Sequence, residues 1–527
     1  MAKGQPGEEN DSGEKKAGKR PLIRVVRPQE NYSAQFGSGN KNNIVGKFNV
    51  QIILGSVSIS APLLILLILV LIGGVIYYKV SQRGPSVMTG SFKIAVADFG
   101  QPDAQGKIGR STTGDLISQR LYEGLRIELD SLPPADQANF HTQVWQDSMD
   151  VTQKSVTLGV IPGDTPKERE ANACILAHTI HANIVIYGNL PADTSNADFI
   201  PQFAICDDAG LRVNEDEIVG AHNLIQGLST QLISQMGHLD TDLAVNSKIN
   251  SWTNSLSLFS IGILYDLQGQ PDLALGVFQQ ALSTLKSGSA PPSEVLYFFI
   301  GREELTLANI TPSQAANPDP QKAVHLANAE TAFKQSVAIN PAYARAYIGL
   351  AGVYFIRAEI TPSAGRLKGP DLPASIQNYQ QALAQAPNSP GALLDTKARL
   401  GLVSAWILQG EALRDTNQVA DAASTFDRAI QAASDSIQPL IESKQIRVLA
   451  QAYLALGEAY HEQGNLKLMQ GDVSASKALF QQASQNYGLC IQQKDAAITD
   501  QTLADTIVRG FCVPYKQSVD SSLAQLK

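Results

Sequence analysis

The chain reads as a multidomain protein: one transmembrane helix, a small α/β domain, and then an α-helical superhelix of repeated helix pairs. Three observations carry this. The run Ile52–Tyr78 holds no charged side chain across 27 residues. Over residues 90–245 short apolar runs alternate with stretches of helical spacing. From about residue 250 onward, small residues and aromatics recur at a fixed interval. At 527 residues there is room for two or three domains.

A helix rises about 1.5 Å per residue, so about 20 apolar residues cross the hydrocarbon layer, and Ile52–Tyr78 is long enough with some tilt. Gly55, Pro62, Gly73 and Gly74 are of a kind that membrane spans tolerate. Tyr77, Tyr78 and Lys79 supply an interfacial end. The formal net charge of −8 is uneven. Residues 1–51 carry nine Lys/Arg against five Asp/Glu, or +4, which leaves −12 for the body after the span. The positive-inside tendency then puts residues 1–51 in the cytoplasm as a disordered basic tail and the C-terminal body outside the cell membrane. A cleaved signal peptide fits less well, because its charged leader is far shorter than 51 residues.

Within the tail, Lys15, Lys16, Lys19, Arg20, Arg24 and Arg27 mark topology or lie on anionic lipid. Residues 31–50 are punctuated by Gly37, Gly39, Asn40, Asn42, Asn43 and Gly46 with Ile44, Val45, Phe48 and Val50 between them. This stretch resembles the short amyloid-type signalling motifs of bacterial immune and regulatory proteins, where Asn ladders and alternating apolar residues stack as cross-β layers. A flexible tether is the alternative.

In the α/β domain, Phe92–Gly100 reads as a central strand, followed by a glycine-rich loop and a helix over Thr113–Asp130 with Thr112 and Asp115 as its capping box. Residues 140–145 read as a strand, Pro166–His181 as a helix, Asn183–Leu190 and Phe199–Cys206 as strands, and residues 218–236 as leading into a helix. The segments IAVADF, Gly114–Asp115 and AHTIHANIVIYGNL, with Ala182 and Gly188, resemble the amino-terminal domain of TolB. The resemblance implies a small binding or interaction domain, occurring in membrane-bound bacterial regulators between a span and helical repeats. The loop FGQPDAQGKIGRSTTG stands where phosphate-cradling loops stand. Five residues rather than four separate Gly100 from Gly106, though, and Ile108 follows Lys107 where a Ser or Thr is needed, so nucleotide-binding enzyme chemistry is the least favoured class. His178 and His181 lack a third ligand at helical spacing. No nucleophile-elbow or HExxH motif occurs.

Four cysteines all follow the span. In an oxidising compartment Cys174–Cys206 and Cys490–Cys512 are natural bridges; four buried thiols are the alternative.

Residues 255–288 carry Gly262, Tyr265, Gly269, Ala274, Phe278 and Ala281, the spacing of a tetratricopeptide repeat. Small residues stand where paired helices touch, aromatics fill the gap, and glycine turns the chain. A second unit shows Gly301, Ala329, Phe333 and Pro341; a third Tyr354, Tyr379, Ala382 and Pro387; a fourth Ala422, Phe426 and Ala429; a fifth Gly457, Tyr460, Phe480 and Ala483. Insertions rich in Pro fall at 311–320 and 361–373. About five units over 250–486, capped by helices in 487–527, make a right-handed tetratricopeptide superhelix with a concave inner face. In that family the first helix of each unit lines the groove, which transfers to Phe259, Ile263 and Asp266, to Phe298 and Arg302, and to Arg345, Ile348 and Phe355. The alternative is that some of these pack against the α/β domain or neighbouring helices.

The expectation is a non-enzymatic, membrane-anchored scaffold whose repeats bind a protein or peptide partner, with no cofactor, no metal and no nucleic acid. A transmembrane receptor whose Gly/Asn-rich motif recruits a cytoplasmic partner is the second reading.

Overall fold

In the computed structural model the described residues run from 87 to 526, except 91, 133–140, 147–157, 191–197, 200, 207–217, 224–227, 230–242, 288–293, 312–318, 389–392 and 497–502. The Ile52–Tyr78 span and the tail before it lie outside them. Among the described residues no helix is long and apolar enough to cross a membrane.

The α/β region is built on a five-stranded mixed sheet. Its strands are β1 (Phe92–Val96), β4 (Thr142–Trp145), β5 (Ile184–Tyr187), β7 (Gln202–Ile205) and β8 (Gly220–Asn223), in the spatial order β4-β1-β5-β7-β8. The central β1 pairs in parallel with β4 and β5, while β5–β7 and β7–β8 are antiparallel. Two smaller ladders join β2 (Gly100–Pro102) to β3 (Ile108–Arg110) and β6 (Asp198–Phe199) to β9 (Leu228–Ser229). Side chains alternate across a strand. Ile94 and Val96 therefore face one side, with helix α1 (Thr112–Asp130), and Ala95 and Ala97 face the other, with helix α2 (Pro166–Ile180).

Three local expectations are corrected. The cap of α1 is Ser111, whose hydroxyl accepts the Gly114 N–H at 3.0 Å, one residue before Thr112; the full capping box belongs to α2, between Thr165 and Glu168. The residues after Ile218 form β8 rather than opening a helix, because Gly220–Asn223 finds an open edge on β7. The glycine-rich loop is the β2–β3 hairpin: Asp103 Oδ1 accepts the N–H groups of Gln105 and Lys107 at 2.9 Å each, so those donors are taken by the chain itself.

Five antiparallel helix pairs follow among the described residues: α3 (Leu243–Leu267) with α4 (Pro271–Ser287), α5 (Glu294–Ile310) with α6 (Pro320–Ile339), α7 (Ala344–Glu359) with α9 (Asp371–Gln385), α10 (Leu394–Asp415) with α11 (Val419–Glu442), and α12 (Ile446–Met469) with α13 (Val473–Ala496). The insertion in the third pair folds as a short helix, α8 (Ser363–Lys368). A π-helical segment, Leu503–Cys512, and α14 (Val513–Gln525) close the C-terminal end against α13. The molecule is thus a mostly helical, repeat-type superhelix with a small N-terminal α/β region.

Glycine–aromatic contacts set how closely the helices approach. A Cβ on Gly301 would lie 2.9 Å from Phe333 Cδ1, on Gly410 2.5 Å from Phe426 Cε1, and on Gly464 2.6 Å from Phe480 Cδ1. The Phe333 ring also lies against Gly349 of the next pair, so one aromatic locks two units together. The turn between α3 and α4 puts Gly269 at φ +79° and closes with Gln270 N–H donating to Tyr265 O at 3.0 Å. Gly471 repeats this between α12 and α13.

Candidate functional site

The sheet does not stand beside the repeats; it fills the inner side of their first units. Phe203 on β7 packs on Phe259 with ring centroids 4.7 Å apart, and His222 on β8 lies 5.7 Å from Phe299. Arg345 on α7, fully buried, donates from Nη2 to Val219 O at 2.6 Å. His222, stacked on Phe203 at 4.9 Å, is held well below the ordinary imidazole range by burial and by the Arg345 charge.

That docking, together with packing and pairing between the repeat helices, decides the fate of the residues expected to line a groove. Phe259, Ile263, Phe298 and Ile348 are core side chains. Asp266 and Arg302 are buried and pair with each other at 2.6 Å, with Glu303 at 2.9 Å from the same guanidinium. Arg345 anchors the sheet. Seven of the eight are thus taken up by internal packing and pairing, and of the eight only Phe355 lines the cavity described next.

The open space is a cavity of about 440 Å³ further along the array. Its walls come from the first helices of the third, fourth and fifth pairs, α7, α10 and α12, with α13 and α14 completing it. Ile407, Leu408 and Phe355 supply an apolar wall. Glu359, Glu411, Glu458 and Glu462 bring four carboxyl groups to it, and no Lys or Arg is among the lining residues. Two cations stand just behind. Arg414 bonds Glu462 and lies 3.2 Å from Asp415. Arg366 Nη1 is 3.8 Å from Glu411, while its Nε donates to the Ala358 and Thr361 carbonyls.

Burial, reinforced by the neighbouring Glu462, lifts Glu411 to about 7, although Arg414 and Arg366 pull the other way. Burial with the charges of Glu411 and Glu462 lifts Glu458 to about 8. Burial pushes His461 down. Tyr487, fully buried on α13, rests its ring on Gly457, and its hydroxyl has no hydrogen-bond partner among the described residues. Tyr515 on α14 stacks on it edge-on at 5.8 Å.

The sequence does carry a signal for this wall. Ile263 and Arg302 directly follow Gly262 and Gly301, and the same position in the fourth unit is Glu411 after Gly410; in the fifth the matching glycine is Gly464, and Glu458 stands two turns before the residue after it, Asn465, on the same side of the helix. Extending the first-helix transfer beyond the third unit reaches the open part of the groove.

The structure brings Cys174 and Cys206 to a Cα–Cα distance of 5.5 Å and Cys490 and Cys512 to 6.2 Å, each pair bridged. The first bridge ties α2 to the end of β7, and the second ties α13 to the π-helical segment. His178 and His181 sit at the end of α2, where His181 is the left-handed cap; among the described residues no group of three or more His, Cys, Asp or Glu is placed to hold a metal.

No protein-family model matches the chain, and no curated protein matches it. Among solved structures, a thermophilic TPR protein of Thermus thermophilus aligns at 17% identity over 48% of this chain and 97% of that one, with a TM-score of 0.26. The APC/C hetero-tetramer Cut9–Hcn1 aligns at 14% identity over 53% of this chain and 42% of that one, with a TM-score of 0.27.

Proposed function

We propose that the protein is a single-pass, membrane-anchored, non-enzymatic scaffold whose repeat array binds a protein or peptide partner outside the cell membrane. The observation that carries the binding half is the open cavity on the first-helix row of the third to fifth pairs, of the size that ligand sites take. The anchor rests on the charge-free run Ile52–Tyr78, and the sidedness on the basic tail before it and the acidic body after it. Two bridged cysteine pairs support an oxidising compartment for the body. The α/β region belongs to this reading as a TolB-amino-terminal-like interaction module.

Protease added to intact cells is expected to cleave the body and spare residues 1–51. Crosslinking from a photoreactive group at Ser404, on the cavity wall, is expected to trap a protein in those cells. A protected body with a clipped tail overturns the sidedness, and a Ser404 site that traps nothing overturns the groove.

A further inference from the structure

The scaffold reading leaves open what the groove recognises, and the cavity between α7, α10, α12 and α14 narrows the answer. An acidic wall alone would be a solvated face. Here a second feature stands beside it: the Tyr487 hydroxyl, on a side chain with 0% exposure, ends in the cavity wall with no partner among the described residues. A buried hydroxyl left unpaired is costly. This one lies close enough to Glu458 and Glu462 for their charges to raise its pKa beyond what burial does.

The chemistry of a fitting occupant follows from what the walls offer. Carboxylates and a phenolic oxygen accept hydrogen bonds. A Lys ammonium brings three donors and an Arg guanidinium five, neither with an acceptor. Both heads end a methylene stem that lies well along apolar surface, and Ile407 and Leu408 provide that surface on the same wall. The internal cations do not fill the role. Arg414 is engaged by Glu462 and Asp415, and Arg366 by backbone carbonyls, with its Nη1 3.8 Å from Glu411. The charges acting on Glu458 are those of two other carboxylates. An anionic ligand would meet four Glu side chains, and a metal would lack a ligand group of three among the described residues.

We infer that the cavity receives a basic side chain, Lys or Arg, of a bound peptide, with its charged head among Glu411, Glu458 and Glu462 and against the Tyr487 hydroxyl, and its stem along Ile407 and Leu408. Glu359 and Ser518, both exposed, stand where the cavity meets solvent, so a peptide backbone can pass there while one side chain enters. This inference rests on the scaffold reading, in which the repeat groove takes a peptide.

The test uses the full chain in detergent micelles at about pH 9, where Glu411 and Glu458 are ionised and Lys keeps its charge, and ligand-observed NMR titration of end-blocked pentapeptides: Ala-Ala-Lys-Ala-Ala, its Arg counterpart, its acetyl-lysine counterpart, and free spermidine as a separate arm. The Lys and Arg peptides bind, and acetylation, which removes the charge, weakens binding by about tenfold or more. Glu458→Gln and Glu411→Gln each weaken the Lys peptide by about tenfold, and Tyr487→Phe, which keeps the ring on Gly457, by a few-fold. Equal affinity for the acetylated peptide, unchanged binding in Glu458→Gln, or saturation by spermidine with none by the peptides overturns the inference. The two proposals fail separately. A protein partner trapped at Ser404 whose binding ignores Glu458→Gln leaves the scaffold standing and removes the basic side chain. Lysine-peptide binding by a chain that traps no protein in cells does the reverse.

Discussion

At Gly410 one added methyl would come within 2.5 Å of the Phe426 ring, and the fourth helix pair would have to part to admit it. Gly410→Ala is therefore expected to lower stability by about 1–3 kcal/mol, the usual cost of forcing extra volume into a close-packed site, seen as an earlier denaturation midpoint. An exposed glycine with open space around it, Gly276, tolerates the same change and serves as the control. The buried carboxyls act differently, through pH. Glu458 rises from an ordinary 4.5 to about 8, so between those values the folded state holds a proton that the unfolded state has released. Its stabilisation is complete below 4.5 and is lost as pH rises through 8, and Glu411, lifted to about 7, follows the same sign. His222 and His461, both lowered, oppose this only below their ordinary 6.5, where the unfolded state takes up protons that the folded state refuses. The clean window is about pH 6.5–8, between the ordinary imidazole value and the raised carboxyl. There the thermal midpoint of the native chain is expected to fall with rising pH, and the fall should be shallower in Glu458→Gln.

The bridges act at the level of whole elements. They close loops of 32 and 22 residues, and the chain-entropy argument assigns each about 3–4 kcal/mol. Reduction should act locally. Replacing Cys490 and Cys512 by Ser is expected to speed amide exchange across 503–525, where α14 would lose its tie to α13, and to leave exchange in α5 and α6 unchanged. Elements were also where the sequence was most informative. Gly262, Phe278 and Ala281 mark a helix pair because a small residue facing an aromatic is a packing requirement, and a glycine against an aromatic returns in the second, fourth and fifth units. The docking of the sheet was not legible. Phe259 and Phe298 read alike whether they face a groove, a neighbouring helix or a strand, since an apolar side chain records that it is buried and not what buries it. The edge strand β8 was missed for a related reason: GAHN has no strand period of its own and is held by β7 and by the aromatic stack of His222 on Phe203.

Taken as a whole molecule, a repeat stack is a row of near-equivalent grooves, yet this one is divided. The first units give their inner faces to the α/β region, with Arg345 hydrogen-bonded across the junction, and the later units keep theirs open. A solenoid ordinarily ends in polar capping units because its last apolar face has no neighbour. In this chain α1 of the α/β region packs on the first repeat helix, α3, as one end-piece, and the bridged C-terminal helices serve as the other. Length is then adjustable only in the middle. A copy of residues 394–442 spliced in after Glu442 meets an α11-type surface on one side and an α12-type surface on the other, and is expected to give a folded chain in detergent with an added increment of helical circular dichroism. A copy of 294–339 spliced in after Ile339 would leave Phe259 and Phe299 on the strands they meet but carry Arg345 away from Val219 and break the junction there, so that chain should aggregate. A protein arranged this way has a fixed inner half and an extensible outer half, and new specificity would be accommodated in the half that can still grow.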